Sequence, residues 1–198
     1  MSYDVFLALL AYAFVTSITP GPNNLMLLTS GVNFGFARTI PHMLGVGIGF
    51  VVMLLAVGFG IGAVLTAFPA LHTGLKIAGA AYLLYLAWKI AMTRSFRTDD
   101  DAKSRPMTFL EAAAFQWVNP KAWVMAVTAM AVYSNPAAPL LSVVLIGLIF
   151  GLVNLPSVST WAGFGTALRG FLSDPARLKW FNSAMGLLLA ATLWPMLR

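Results

Sequence analysis

Two short segments of the sequence place prolines and asparagines inside long apolar runs. The first segment contains Pro20, Gly21, Pro22, Asn23 and Asn24. The prolines remove two backbone donors and the glycine loosens the turn between them, so we expect a break in any helix formed here. A helix that restarts after a break presents unpaired N–H groups and the positive end of its dipole, which attract a carboxylate. These five residues are therefore candidate substrate-binding residues.

The second segment is Asn119-Pro120-Lys121. Asparagine is a preferred N-cap and proline a preferred first helical residue, so we expect a second half-helix to begin here. Lys121 lies about 12 residues into its apolar run, which is roughly 18 Å along a helix. At that depth in a membrane a cation costs about 2.5–3.5 kcal/mol to insert. Two interpretations are open: the ammonium binds a substrate carboxylate, or it is stabilised only by carbonyls that the broken helices free.

Two further polar residues, Gln116 and Asn154, lie within apolar runs and are candidates to line a pore. The commoner use of such side chains is hydrogen bonding between helices. Asn154 is followed two positions later by Pro156, and we expect a third break there.

The sequence contains none of the common motifs for catalytic metals, nucleotides or dinucleotide cofactors. HExxH, GxSxG, the Walker A loop and the dinucleotide fingerprint are absent, and so is cysteine. His42 and His72 fall at opposite membrane faces in the predicted arrangement of spans, so we do not expect them to share a metal. We therefore predict no cofactor, no metal site and no enzymatic activity.

The composition predicts a membrane protein, because 60% of the 198 residues are hydrophobic and only 9% are charged. Globular domains average about 25% charged residues. A helix needs about 20 apolar residues to cross the hydrocarbon core of a bilayer. Six runs meet this condition, at about 5–31, 43–65, 71–93, 109–133, 138–163 and 178–197. We predict an all-α membrane protein, a single domain over 1–198, with six transmembrane helices of which the first and fourth are broken.

The basic residues predict the orientation. Nine of the twelve Lys and Arg residues lie in or beside the loops after the first, third and fifth runs: Arg38, Lys89, Arg94, Arg97, Lys103, Arg105, Arg169, Arg177 and Lys179. By the positive-inside rule these loops face the cytoplasm, which places both termini outside it. The net charge of +6 follows from this pattern, so we predict no nucleic-acid partner.

Faint internal similarity divides the chain into two halves. Gly45 and Gly49 match Gly147 and Gly151, 102 positions later. Three spans per half would make the halves inverted, as in many secondary transporters. The predicted repeats are residues 1–93 and 108–198, and the predicted cytoplasmic loop between them is residues 94–107. The glycines are also explained by close packing of helices, within one chain or in a homodimer.

Three segments together resemble the lysine/threonine exporter (LysE/RhtB) family. They are Thr19-Pro20-Gly21-Pro22-Asn23-Asn24 with the four residues that follow, Gly79 to Lys89, and Asn119-Pro120-Lys121-Ala122-Trp123. The resemblance covers the whole chain and is closest to the cysteine/O-acetylserine exporters. It implies export of amino acids or their derivatives from the bacterial cytoplasm across the inner membrane, driven by the proton-motive force.

The combined interpretation is a secondary transporter, an antiporter, whose partners are a small neutral amino acid, protons and the lipid bilayer. A neutral substrate is favoured because Lys121 is cationic and no buried acid awaits a basic side chain. An exporter of basic amino acids, metals or other ions on the same architecture is the first alternative. A membrane-embedded enzyme or a structural subunit of a complex is the alternative from another class.

Overall fold

The computed structural model describes residues 1–61, 69–96 and 105–194. Over these ranges the chain forms eight α-helices and no strand, which confirms the all-α class. The helices are α1 (Tyr3–Ile18), α2 (Pro22–Phe34), α3 (Phe36–Ala56), α4 (Pro69–Ala91), α5 (Phe109–Phe115), α6 (Pro120–Tyr133), α7 (Pro139–Leu168) and α8 (Pro175–Ala191). A π-helical turn at Val57–Ile61 extends α3, and 3-10 turns lie at Gln116–Val118 and Phe171–Ser173.

Within the described ranges, two helices are long and apolar enough to cross a membrane. They are α3 with its π turn, of mean hydropathy 2.5, and α7, of mean hydropathy 2.2. The pair α1 and α2 passes the same test together and is bent by 53°, so it is a third candidate span. The other helices overlap the remaining apolar runs, and the arrangement of six spans in two inverted repeats stays a prediction.

Both breaks expected in the first and fourth runs are present. α1 ends at Ile18 and α2 begins at Pro22, with Gly21 in extended backbone between them. The fourth run passes from α5 through the 3-10 turn to an extended Asn119, and α6 begins at Pro120. Each restart has proline at the first helical position, where its missing N–H has no intrahelical partner to lose.

The break expected near Asn154 is absent. α7 continues through Pro156 as one helix of 30 residues. A proline removes one intrahelical hydrogen bond, and α7 keeps the others while it packs against α1, α2 and α3. The expectation was wrong because it considered the local backbone without this packing.

The crossing of α2 and α7 brings their backbones into contact. A Cβ atom on Gly31 would collide with the carbonyl of Ala162, and one on Gly165 would collide with the carbonyl of Leu28. Both positions therefore require glycine for the helices to approach this closely. This contact fixes α2 beside the C-terminal part of α7.

The paired glycines of the two halves also serve helix packing. Gly45 and Gly49 lie against the backbone of α5, and Gly147 and Gly151 face side chains of α3. The packing explanation therefore accounts for all four residues. Their value as evidence for a repeat is correspondingly small.

The turns after α2, α4 and α7 meet at one end of the helices. The guanidinium of Arg169 lies 5.1 Å from the centre of the Phe96 ring and beside Gly35. Gly35 has φ +81°, a conformation that favours glycine at the corner between α2 and α3. The basic residues are concentrated at these turns, and the membrane side that they face stays a prediction. Residues 97–104 of the predicted 94–107 loop lie outside the described ranges.

Candidate functional site at the two helix breaks

Lys121 joins the two broken segments. Its side chain passes over Gly21, and its Nζ donates a hydrogen bond to the carbonyl of Thr19 at 2.6 Å and lies 3.5 Å from the carbonyl oxygen of Pro20. These carbonyls follow the C-terminus of α1, where the helix dipole is negative and favours a cation. The structure thus shows the carbonyl contacts of the second interpretation, and a contact with substrate stays a prediction.

Two other side chains satisfy the remaining carbonyls at the end of α1. The Asn24 amide donates to the carbonyls of Ser17 and Thr19, both at 2.8 Å. The indole of Trp161 donates to the carbonyl of Ile18 at 3.0 Å. Carbonyls freed by a break within a membrane need such partners because no lipid group can supply them. Asn24 therefore holds the start of α2 against the end of α1.

Asn23 and Gln116 connect the two breaks through reciprocal amide hydrogen bonds. Asn23 Nδ2 donates to Gln116 Oε1 at 2.8 Å, and Gln116 Nε2 donates to Asn23 Oδ1 at 3.2 Å. Gln116 is fully buried and also donates to the carbonyl of Ala112 at 2.8 Å. Opening this pair would leave buried amide groups without partners, at a cost of about 1–3 kcal/mol each.

The N-terminus of α6 is closed by its own cap. Asn119 Oδ1 accepts a hydrogen bond from the N–H of Lys121 at 3.2 Å. The Asn119 carbonyl accepts from the next two N–H groups, at 3.1 and 3.3 Å. Pro120 has no N–H to offer. The prediction that α6 begins at an Asn-Pro cap is confirmed, and these amides are already occupied.

No side chain of the described residues caps the N-terminus of α2. It follows Gly21 and begins with Pro22, which has no N–H. The backbone N–H groups of Asn23 and Asn24 have no acceptor in the described parts of the chain. α2, and not α6, is therefore the half-helix whose free amides can receive an anion.

A cavity of about 20 Å³ lies between the breaks. It has room for about one water molecule, so this conformation is closed around the site. Six of the residues predicted to bind substrate line it: Gly21, Asn23, Asn24, Asn119, Lys121 and Asn154. Four predicted residues are not in the lining. Three of them are the prolines at the breaks, Pro20, Pro22 and Pro120, and the fourth is Gln116, whose amide is bonded to Asn23.

Thr16 and Ser17 of α1 also line this cavity, although the sequence did not distinguish them from other buried hydroxyl residues. Asn154 Nδ2 donates to Ser17 Oγ at 3.2 Å. Asn154 Oδ1 is buried and has no partner among the residues that the structure describes. An unpaired buried acceptor costs about 1–3 kcal/mol. It marks a place where a ligand donor would be stabilised.

A larger cavity of about 350 Å³, which the sequence did not reveal, lies between α2, α3, α4 and the start of α5. Its polar lining includes Asn33, His42, Lys89, Arg105 and Glu111. One signal was available in the sequence, since α2 carries polar residues four positions apart along one face. His42 was considered only as a metal ligand and was therefore missed.

The family to which the chain belongs follows from a match to a family model. The LysE type translocator model matches residues 14–192. The matched range includes both helix breaks and the helices that line the two cavities. The chain belongs to the LysE family. This confirms the resemblance seen in three sequence segments. Membership of a translocator family identifies the protein as a transporter.

Relatives of this LysE protein cover nearly the same length. The cysteine/O-acetylserine efflux proteins of Escherichia coli and Shigella sonnei are each 34% identical to it over 173 residues, which is 87% of this chain and 85% of each relative. No solved structure matches the chain.

Proposed function

We propose that this LysE-family protein exports small neutral amino acids or derivatives, of the cysteine and O-acetylserine type, across the inner membrane. One observation carries the proposal: Lys121 and Asn154 line the same cavity between two broken helices, and Asn154 Oδ1 has no partner among the described residues. A zwitterionic amino acid presents a carboxylate and an ammonium, which match these two groups. The names of the relatives support the substrate class.

The substrate carboxylate binds at Lys121 and at the start of α2. The ammonium of Lys121 donates to a neutral carbonyl in this structure. A substrate carboxylate would replace this contact with a stronger hydrogen bond between two charged groups. The free N–H groups of Asn23 and Asn24 add the positive end of a helix dipole. The ammonium of the substrate donates to Asn154 Oδ1, which supplies that oxygen with its missing partner.

The charges around the central cavity favour a substrate without a basic side chain. Of its described lining residues, Lys121 is the charged one, and none is a carboxylate. A second cationic group on the substrate would therefore be buried without a counterion, which is strongly unfavourable. This argument favours small neutral amino acids over lysine or arginine.

Transport requires the site to open, because the cavity of about 20 Å³ holds about one water and no amino acid. We propose that the chain forms six spans in two inverted repeats, with both termini outside the cytoplasm, and that the two broken helices separate toward each side in turn. The proton-motive force drives the cycle. The hydrogen bonds of the Asn23–Gln116 amide pair join the two breaks, so they have to open when the broken helices separate toward one side of the membrane.

Counterflow in proteoliposomes tests this function. Vesicles are loaded with unlabelled cysteine, O-acetylserine, threonine, leucine or lysine, and entry of the labelled compound is followed with and without a pH gradient. We expect accelerated exchange of a small neutral amino acid, and a pH gradient should alter its net flux. Exchange of lysine alone would contradict the charge argument. Absence of exchange for every compound, from folded protein, would contradict the proposed function.

A further inference from the structure

The cavity of about 350 Å³ is not used by the proposed function and has the size of a ligand site. Small-molecule sites span about 300–1,000 Å³. The central cavity, by comparison, has room for about one water. In this conformation a solute of amino-acid size therefore fits the larger cavity and does not fit between the breaks.

His42 of α3 lines this cavity and has unused hydrogen-bonding capacity. The residue is only 1% exposed, and neither of its ring nitrogens has a partner in the described part of the chain. Buried polar groups are nearly always hydrogen-bonded, so an unpaired imidazole needs an explanation. A polar ligand in the cavity would supply the missing partner after a small shift of the wall.

The charged groups of the lining leave one cation available. Arg105 and Glu111 form a bidentate ion pair, at 2.6 and 2.7 Å, and neutralise each other. Lys89 lines the same cavity and has no carboxylate partner among the described residues. The uncommitted groups are therefore the ammonium of Lys89, which suits a carboxylate, and the imidazole of His42, which suits a neutral polar group or an ammonium.

Helix α2 connects this cavity to the central one. Asn23 lines the central cavity, and Met26, three residues further along α2, lines the larger cavity. Three residues correspond to about 4.5 Å along the helix axis. Gln116 holds Asn23 through the amide pair. The two cavities therefore follow each other along α2, with Asn23 in the lining of the central one.

We propose that the larger cavity is a second binding site, in which a small zwitterionic amino acid binds before it reaches the central cavity, with His42 and Lys89 as its polar contacts. The proposal rests on the proposed function for its substrate class. It adds a separate place of binding and two residues that the central site does not contain.

Thiol protection tests this second site, because the chain has no cysteine of its own. Ile90→Cys places a thiol in the cavity wall. O-acetylserine, which has no thiol, is titrated while a small hydrophilic reagent labels the purified protein. We expect it to slow labelling of Ile90→Cys, also when Lys121→Met is added to disable the central site. Ser173→Cys, which is exposed in the turn before α8 and outside the cavity lining, is the control and should show no protection.

The role of His42 is tested in the same assay. Adding His42→Leu should raise the O-acetylserine concentration for half-protection about tenfold or more, the factor that corresponds to about 1.4 kcal/mol. His42→Phe, which keeps a ring without nitrogens, gives the same test if the leucine variant does not fold. Unchanged protection in a folded His42 variant would overturn the assignment to His42.

The two proposals fail in different ways. Counterflow without protection at Ile90→Cys would overturn the second site and leave the proposed function standing. Protection without counterflow of any compound would overturn the proposed function and leave the second site standing. Protection that disappears with Lys121→Met would show that the signal came from the central site, and this too would overturn the second site.

Discussion

Replacement of Lys121 by methionine separates the two interpretations of its ammonium. Methionine is similarly long and flexible and removes the charge. If the ammonium only satisfies carbonyls at the end of α1, the variant should change stability and leave transport intact. If it binds the substrate carboxylate, transport should fall while the fold survives.

The structure limits the cost to folding. The carbonyl of Thr19 keeps a donor after the substitution, because Asn24 Nδ2 also lies 2.8 Å from it. A hydrogen bond to a charged group contributes about 1.5–3 kcal/mol, and removing a cation from the predicted mid-membrane depth recovers about 2.5–3.5 kcal/mol. These contributions oppose each other. We therefore expect the free energy of unfolding to lie between about 0.5 kcal/mol below and about 2 kcal/mol above that of the parent.

The effect on transport should be much larger. Truncating one partner of a buried, hydrogen-bonded charge pair typically costs about 2–5 kcal/mol. That range corresponds to a decrease of about 30-fold to about 5,000-fold in Vmax/KM for counterflow of a neutral amino acid. Unfolding in detergent and counterflow are measured on the same preparation, so that stability and transport are compared directly.

Two variants are matched controls. Lys179→Met makes the same change at an exposed lysine near the start of α8 and should leave both measurements unchanged. Lys121→Arg keeps the charge and should retain part of the transport. A folded Lys121→Met protein that transports at the parental rate would refute substrate binding by Lys121. It would leave the carbonyl contacts as the complete role of the side chain.

Two further substitutions test the surroundings of Lys121. In Gly21→Ala the new Cβ would lie 2.7 Å from Lys121 Cδ, so the flexible lysine side chain should shift. The backbone at Gly21 is extended and should stay unstrained. We therefore expect counterflow to fall about tenfold or more at a nearly unchanged free energy of unfolding. Gly170→Ala, whose Cβ would have no atom of the described residues within 4 Å, is the control, and equal transport in both variants would contradict the expectation. Gln116→Leu leaves the Asn23 amide without its partner and should lower the free energy of unfolding by about 1–3 kcal/mol. Adding Asn23→Leu should recover most of this loss, and a simple sum of two losses in detergent unfolding would show that the pair is not coupled.

The breaks were predictable from sequence because proline acts on its own backbone. Pro22 and Pro120 each begin a helix, and Asn119 caps one of them, as residue types alone suggested. The same reasoning failed at Pro156, which lies inside continuous α7. The chemistry of the three prolines is identical, and the difference lies in the helices that pack against α7.

The location of the candidate binding residues was predicted better for the group than for each residue. Six of them line one cavity, since polar residues deep in apolar segments must gather where they can find partners. Their individual roles depended on contacts that the sequence does not display. Asn24 caps α1, Gln116 holds Asn23, and Asn154 Oδ1 has no partner within the described ranges.

The sequence by itself determined the all-helical class, the two breaks and the LysE-family membership, because composition, proline chemistry and motif spacing are properties of the chain read in order. Only the tertiary structure decided that Lys121 contacts the carbonyl of Thr19, 102 positions away, and that the central site is closed while His42 lines an open cavity. Such distances depend on how closely helices pack, and that closeness is set by side-chain volumes and hydrogen bonds between segments remote in sequence.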